Sequence, residues 1–172
     1  MHNLVIDESA GSSIFTRFIF LSLFIFLIGS CSSDQSESDK SVQNYNQFVA
    51  TLESHLAAIS EKSFESLLIT LPTDNEFFLI LPGSDTRTQK SEFIKYHEDW
   101  FHDTTWTFDS KITHTEIGDE IGIAIVDIIY KEPSRDGKPY FNHMIVSYAL
   151  KKYDSQWRVF LDHASSIEKT SG

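Results

Sequence analysis

The sequence predicts one α+β domain in which the helices come first and an antiparallel sheet follows. Three observations carry that class. Apolar residues recur at three- and four-residue spacings up to about residue 101, long alternating runs replace them afterwards, and short turns separate those runs. With 172 residues, 41% of them hydrophobic, the chain can bury one sizeable core but not two.

The first helix is predicted from Val42, Tyr45, Phe48, Val49, Leu52, Leu56 and Ile59, about five turns, with Ser41 or Asp39 able to cap its start. Phe64, Leu67, Leu68 and Leu71 form a second, shorter pattern that stops at Pro72, which lacks a donor and restricts its predecessor. Phe77-Phe78-Leu79-Ile80-Leu81 then reads as a strand closed by Pro82-Gly83. After a polar loop, SDTRTQ, a third helix carries Phe93, Ile94, His97, Trp100 and Phe101. Four strand runs complete the domain: Thr104–Glu116, Glu120–Lys131, Tyr140–Tyr153 and Gln156–Ile167. Gly118-Asp119, Pro133 to Gly137 and Asp154-Ser155 separate them, so consecutive antiparallel hairpins are expected.

The N-terminal end reads differently. Phe18 to Ile28 is an apolar run preceded by Arg17 and followed by Gly29-Ser30-Cys31. It is well short of the roughly 20 apolar residues a spanning helix needs, and it matches a signal-peptide core. Ile28-Gly29-Ser30-Cys31 resembles a bacterial lipobox, which implies cleavage before Cys31 and acylation of its thiol. Cys31 is the chain's single cysteine, so it has no intramolecular disulfide partner. Residues 32–40, SSDQSESDK, contain no apolar residue and read as a flexible tether. The expected organisation is a signal peptide over 1–30, the lipidated Cys31 and tether over 31–40, the α+β domain over 41–168 and a tail over 169–172. That places the domain on the periplasmic or extracellular side of a bacterial envelope membrane, held to the bilayer through Cys31.

Charge narrows the partners. Fourteen Lys and Arg against 25 Asp and Glu give −11, which opposes a nucleic-acid partner. His97 and His102 look like a metal pair, but a five-residue spacing leaves them about 140° apart on a helix, so no metal site is expected. No Gly-rich phosphate loop, GxSxG elbow or calcium loop is present, and nothing calls for a cofactor.

The element order resembles that of the nuclear transport factor 2-like superfamily over about residues 42–168. The stretch from Glu92-Phe93-Ile94 to Trp100, the strand Gly122 to Val126 and the last strand Trp157 to Ser165 carry the resemblance. That last strand, a tryptophan, alternating apolar residues and then a histidine with a nearby serine, is similar to the closing pattern of SnoaL-like domains. The resemblance implies a cystatin-like cone, with three helices packed in a curved, mostly antiparallel sheet around an internal pocket, and dimerisation. The superfamily holds cyclases, isomerases, dehydratases, epoxide hydrolases and members without activity, so the fold does not choose among them.

Strand parity selects candidate residues. Ile121, Ile123, Ile125, Asp127 and Ile129 share one face, and a carboxylate in such a row is a candidate general acid or base. Trp157, Val159, Leu161 and His163 share another, which sends His163 toward the pocket as the second acid–base candidate. Each of the two also reads as a satisfied structural group. Tyr140–Tyr153 is apolar on both faces, so either side can be concave, and the outer one is expected to pair with a second copy. Trp100, His97, His143 and Tyr148 are the candidate ligand-binding residues. The expected function is a lipid-anchored protein binding a small apolar or aromatic molecule. The alternatives are a cofactor-free isomerase, dehydratase or cyclase using Asp127 or His163, and a dimeric interaction module.

Overall fold

The computed structural model describes residues 32–170, with side chains from residue 37 onward. The segment expected as a signal peptide, and Cys31, therefore lie outside the described residues. The sheet, the core and the cavity belong to the compact unit from residue 41 onward, which also holds most of the first helix.

Helix α1 spans Ser32–Ser60. It begins nine residues before Ser41, inside the segment expected as a tether, because nothing from Ser32 to Ser60 is a glycine or proline that would end it. Its inner face buries Phe48, Leu52, Leu56 and Ile59, the spacing read from the sequence. Lys62, at φ 57°, turns the chain into the short α2, Phe64–Leu68. Strand β1, Glu76–Ile80, comes next. Part of the expected polar loop forms a further strand, β2, Thr86–Gln89, antiparallel to β1 at the sheet edge. With only four residues, no apolar side chain and one partner, it leaves no periodicity to read.

Helix α3, Lys90–Phe101, opens with a capping box in which the Glu92 carboxylate accepts the Gln89 N–H at 3.1 Å. Strands β3 (Thr107–Ile117), β4 (Ile121–Arg135), β5 (Lys138–Tyr153) and β6 (Gln156–Lys169) form the expected antiparallel run. Asp136-Gly137 and Asp154-Ser155 supply the positive φ values that two-residue hairpins demand. The six strands lie in the order β2-β1-β6-β5-β4-β3, with β1 parallel to β6.

The helices cover one sheet face, and their approach decides which one. Gly122 sits so close under α1 that an added Cβ would lie 2.7 Å from the Phe48 ring. The inner row of β4 is accordingly Gly122, Ala124, Val126, Ile128 and Tyr130, all buried, and the isoleucine row containing Asp127 is the outer one. Small residues mark the close helix contact, and the larger isoleucines were the misleading signal. On β5 the even row, Asn142 to Tyr148, is inner, so His143 is outer.

Strand β6 corrects a second expectation. Its pairing slips between Leu150↔Val159 and Ala149↔Leu161, making Phe160 the extra residue of a β-bulge. Trp157 and Val159 point inward, but beyond the bulge parity inverts, so Asp162 is buried and His163 exposed.

Candidate functional site

A cavity of about 380 Å³ opens between α3 and the inner sheet face. Helix α3 contributes Tyr96, His97 and Trp100, one helical turn of side chains facing the sheet. The sheet contributes Ile128, Tyr130 and Glu132 from β4, Tyr140, Asn142, Met144, Val146 and Tyr148 from β5, and Asp162, Ala164 and Lys169 from β6. Along β4 and β5 every second residue reaches the cavity, as a pleated sheet requires. Leu79 from β1 and Ile59 from α1 add apolar wall.

The strand register grades this wall from deep to open. Asp162 sits opposite Tyr148, and six residues back along β5 Asn142 sits opposite Lys169, near the hairpin tip with Glu132, Tyr140 and Arg135. Asp162 and Tyr148 are thus separated from the charged rim by apolar Met144 and Val146.

Asp162 is the unusual group. Only 8% exposed and in no ion pair among the described residues, it has its carboxyl pushed up to about 7 by burial alone. Near neutral pH it exchanges its proton readily, as an acid or base in a dry site does. Tyr148, fully buried, is pushed well above a phenol's ordinary value by burial and then by the Asp162 charge. His97 donates its Nδ1–H to the Phe93 carbonyl at 2.9 Å, and burial lowers it to about 4. It is therefore a neutral imidazole at pH 7, with Nε2 left as acceptor. Asn142 has a buried Oδ1 without a hydrogen-bond partner among the described residues.

Aromatic packing holds the walls. Trp100 stacks on Trp106 with centroids 4.3 Å apart, and Lys62 Nζ caps the Trp106 ring at 3.8 Å. The Trp100 indole N–H donates to Tyr130 Oη at 3.3 Å, and Tyr130 in turn donates to Glu132 at 2.7 Å. Arg135 pairs with Glu132 and lies 3.4 Å from the Tyr140 ring centroid, so α3, β4 and the β4–β5 hairpin are tied across the rim.

Of the residues expected from sequence, Trp100, His97 and Tyr148 line the cavity. Asp127, His143 and His163 do not. Asp127 accepts a hydrogen bond from His143 Nε2 at 3.0 Å on the outer face, and His163 is exposed there. The catalytic pair Asp127 and His163 is therefore set aside, because the Gly122–Phe48 approach and the Phe160 bulge turn both strands the other way. Asp162, adjacent to His163, takes the place in the cavity. The signal for it was the apolar triplet Val159-Phe160-Leu161, a break in alternation that marks a bulge.

Residues 48–168 match the family described as the SnoaL-like domain. No curated protein matches the chain. Among solved structures, a ketosteroid isomerase-like protein from Erwinia carotovora atroseptica is similar, at 15% identity and a TM-score of 0.60, over 70% of this chain and 94% of that one. A proposed scytalone dehydratase from Novosphingobium aromaticivorans gives 9% identity and 0.65, over 77% and 90%. A protein of cystatin-like fold from Caulobacter vibrioides gives 12% and 0.59, over 73% and 91%. At such identities the likeness establishes the fold.

Proposed function

Since the chain belongs to the SnoaL-like domain family, whose fold carries many functions, we propose from the site itself that this domain binds a small, largely apolar organic molecule in the α3–sheet cavity. One observation carries the reading: a lone buried carboxyl, Asp162, at the deep end of an aromatic and aliphatic cavity of about 380 Å³. Such a group is costly to keep unpaired, and a ligand that shares a hydrogen bond or a charge with it offsets that cost. The test is a fluorescence titration against small aromatic compounds, read at Trp100 and Trp106. Saturable quenching that is lost when Ala164→Trp fills the cavity supports binding; quenching unchanged by that variant contradicts it.

A second reading, proton transfer on the bound molecule, is favoured by the Asp162 carboxyl titrating near 7. It replaces the Asp127 and His163 alternative. Exchange of a substrate's acidic C–H for deuterium, abolished by Asp162→Asn, would establish it; exchange unaffected by that variant would remove it.

The reading extends to location. The lipobox-like Ile28-Gly29-Ser30-Cys31 supports an acylated Cys31 that anchors the domain to a bacterial envelope membrane. Mass spectrometry of the mature N-terminus tests it, and an unmodified chain retaining residues before Cys31 refutes it. A homodimer through the outer sheet face is proposed as well, supported by the exposed Ile121 and Ile123 on β4. Sedimentation of the Ile123→Glu variant tests that: a dimer converted to monomer supports it, and a monomeric parent contradicts it.

A further inference from the structure

Resting on the reading that the cavity binds a small molecule, we infer that its ligand is an organic ammonium ion, with the charged nitrogen at Asp162 and an apolar body among the aromatic walls. Three observations converge on a cation. Asp162 is buried with no lysine or arginine paired to it among the described residues, so once ionised it offers a ligand cation an uncompensated charge. Tyr148 lies opposite Asp162 on the neighbouring strand and Tyr96 of α3 lines the same cavity, and aromatic rings attract cations. The chain's charge of −11 draws cations toward it.

The cations at the rim do not oppose this. Arg135 is neutralised by Glu132, and Lys169 lies six β5 residues from the Asp162 row, about 20 Å along the strand. The other titratable groups lining the cavity near Asp162 are Tyr96 and His97 of α3 and Tyr148 of β5, all neutral at pH 7, while α1 and β1 present Ile59 and Leu79. The deep end thus offers one negative charge and no competing positive one.

The test uses three probes of one shape, 2-phenylethylammonium, 2-phenylethanol and phenylacetate, titrated by tryptophan fluorescence into the intact chain in mild detergent. At pH 8 the ammonium should bind about tenfold more tightly than the alcohol, and phenylacetate weakest. That preference should fall away as the pH is lowered to 5.5, because Asp162 then holds its proton while the amine stays charged. Asp162→Asn should remove the ammonium's preference over the alcohol; should that variant not fold, the pH series on the unaltered protein decides the same question. Alcohol or phenylacetate binding as tightly as the ammonium at pH 8, or a preference independent of pH, overturns the inference while leaving the cavity a binding site. If none of the three binds, the underlying reading falls and the inference with it.

Discussion

Acid should unfold this domain through two histidines, and removing Asp162 should make the loss steeper. His55 is fully buried, with Nδ1 2.7 Å from Thr70 Oγ1, whose own proton goes to the Leu67 carbonyl. The imidazole therefore donates at Nδ1, leaving Nε2 without a partner among the described residues. Burial holds His55 down at about 3 and His97 at about 4, against 6.5 when exposed. Their folded-state values are depressed, so stability is intact above pH 6.5 and drains away as the pH falls toward 4, where only the unfolded chain takes up both protons. Asp162 works the other way. Its value is raised from 3.8 to about 7, so between those limits the folded form keeps a proton the unfolded chain has released, and its contribution is lost as the pH rises through 7. Near pH 5 the unfolded state binds two extra protons through the histidines and the folded state one through Asp162. The net of one proton gives a slope of about 1.4 kcal/mol per pH unit, and Asp162→Asn should bring it to about 3. Urea denaturation between pH 5 and 6, followed by tryptophan fluorescence, measures both slopes. Equal slopes in the two proteins would refute the assignment of Asp162 as a buried, proton-holding group.

Other consequences follow from single contacts. Gly122→Ala forces a Cβ to 2.7 Å from Phe48 Cε2 and 3.0 Å from the Glu116 carbonyl, and should cost about 1–3 kcal/mol by denaturant titration. Tyr130→Phe strips the Trp100 indole of its acceptor and Glu132 of a donor, and should cost about 1–3 kcal/mol while shifting the tryptophan emission. Asp127→Asn and His163→Ala sit on the face away from the cavity and should leave probe affinities unchanged; a weakened affinity in a folded variant would place them in the site after all.

Much of the fold was legible because helix and strand periods are local. Phe48, Leu52, Leu56 and Ile59 announce α1, and Asp154-Ser155 announces a hairpin. The site was legible only where local spacing sufficed: His97 and Trp100 share a helical face, and both line the cavity. The catalytic candidates failed because the face a strand buries is set by its neighbours. The isoleucine row of β4 is the more hydrophobic, yet α1 packs so closely that glycine and alanine have to face it. In β6 one inserted residue, Phe160, reverses the side chains of the stretch that follows it, exchanging His163 for Asp162. Neither the α1 contact nor the pairing slip has a period of its own. Strand β2, held by pairing with β1 and by its junction with α3, went unread for the same reason.

Every property proposed for the cavity depends on a carboxyl kept out of water at its deep end. Carbon-13 NMR titration of the Asp162 side chain, assigned by its loss in Asp162→Asn, measures that state at the atom concerned. A buried carboxyl gives a midpoint of about 7 in the free protein, moving to lower pH when 2-phenylethylammonium is added. A midpoint near 4, where an exposed aspartate titrates, would mean that Asp162 is hydrated, and both the binding reading and the ammonium inference would lose their footing.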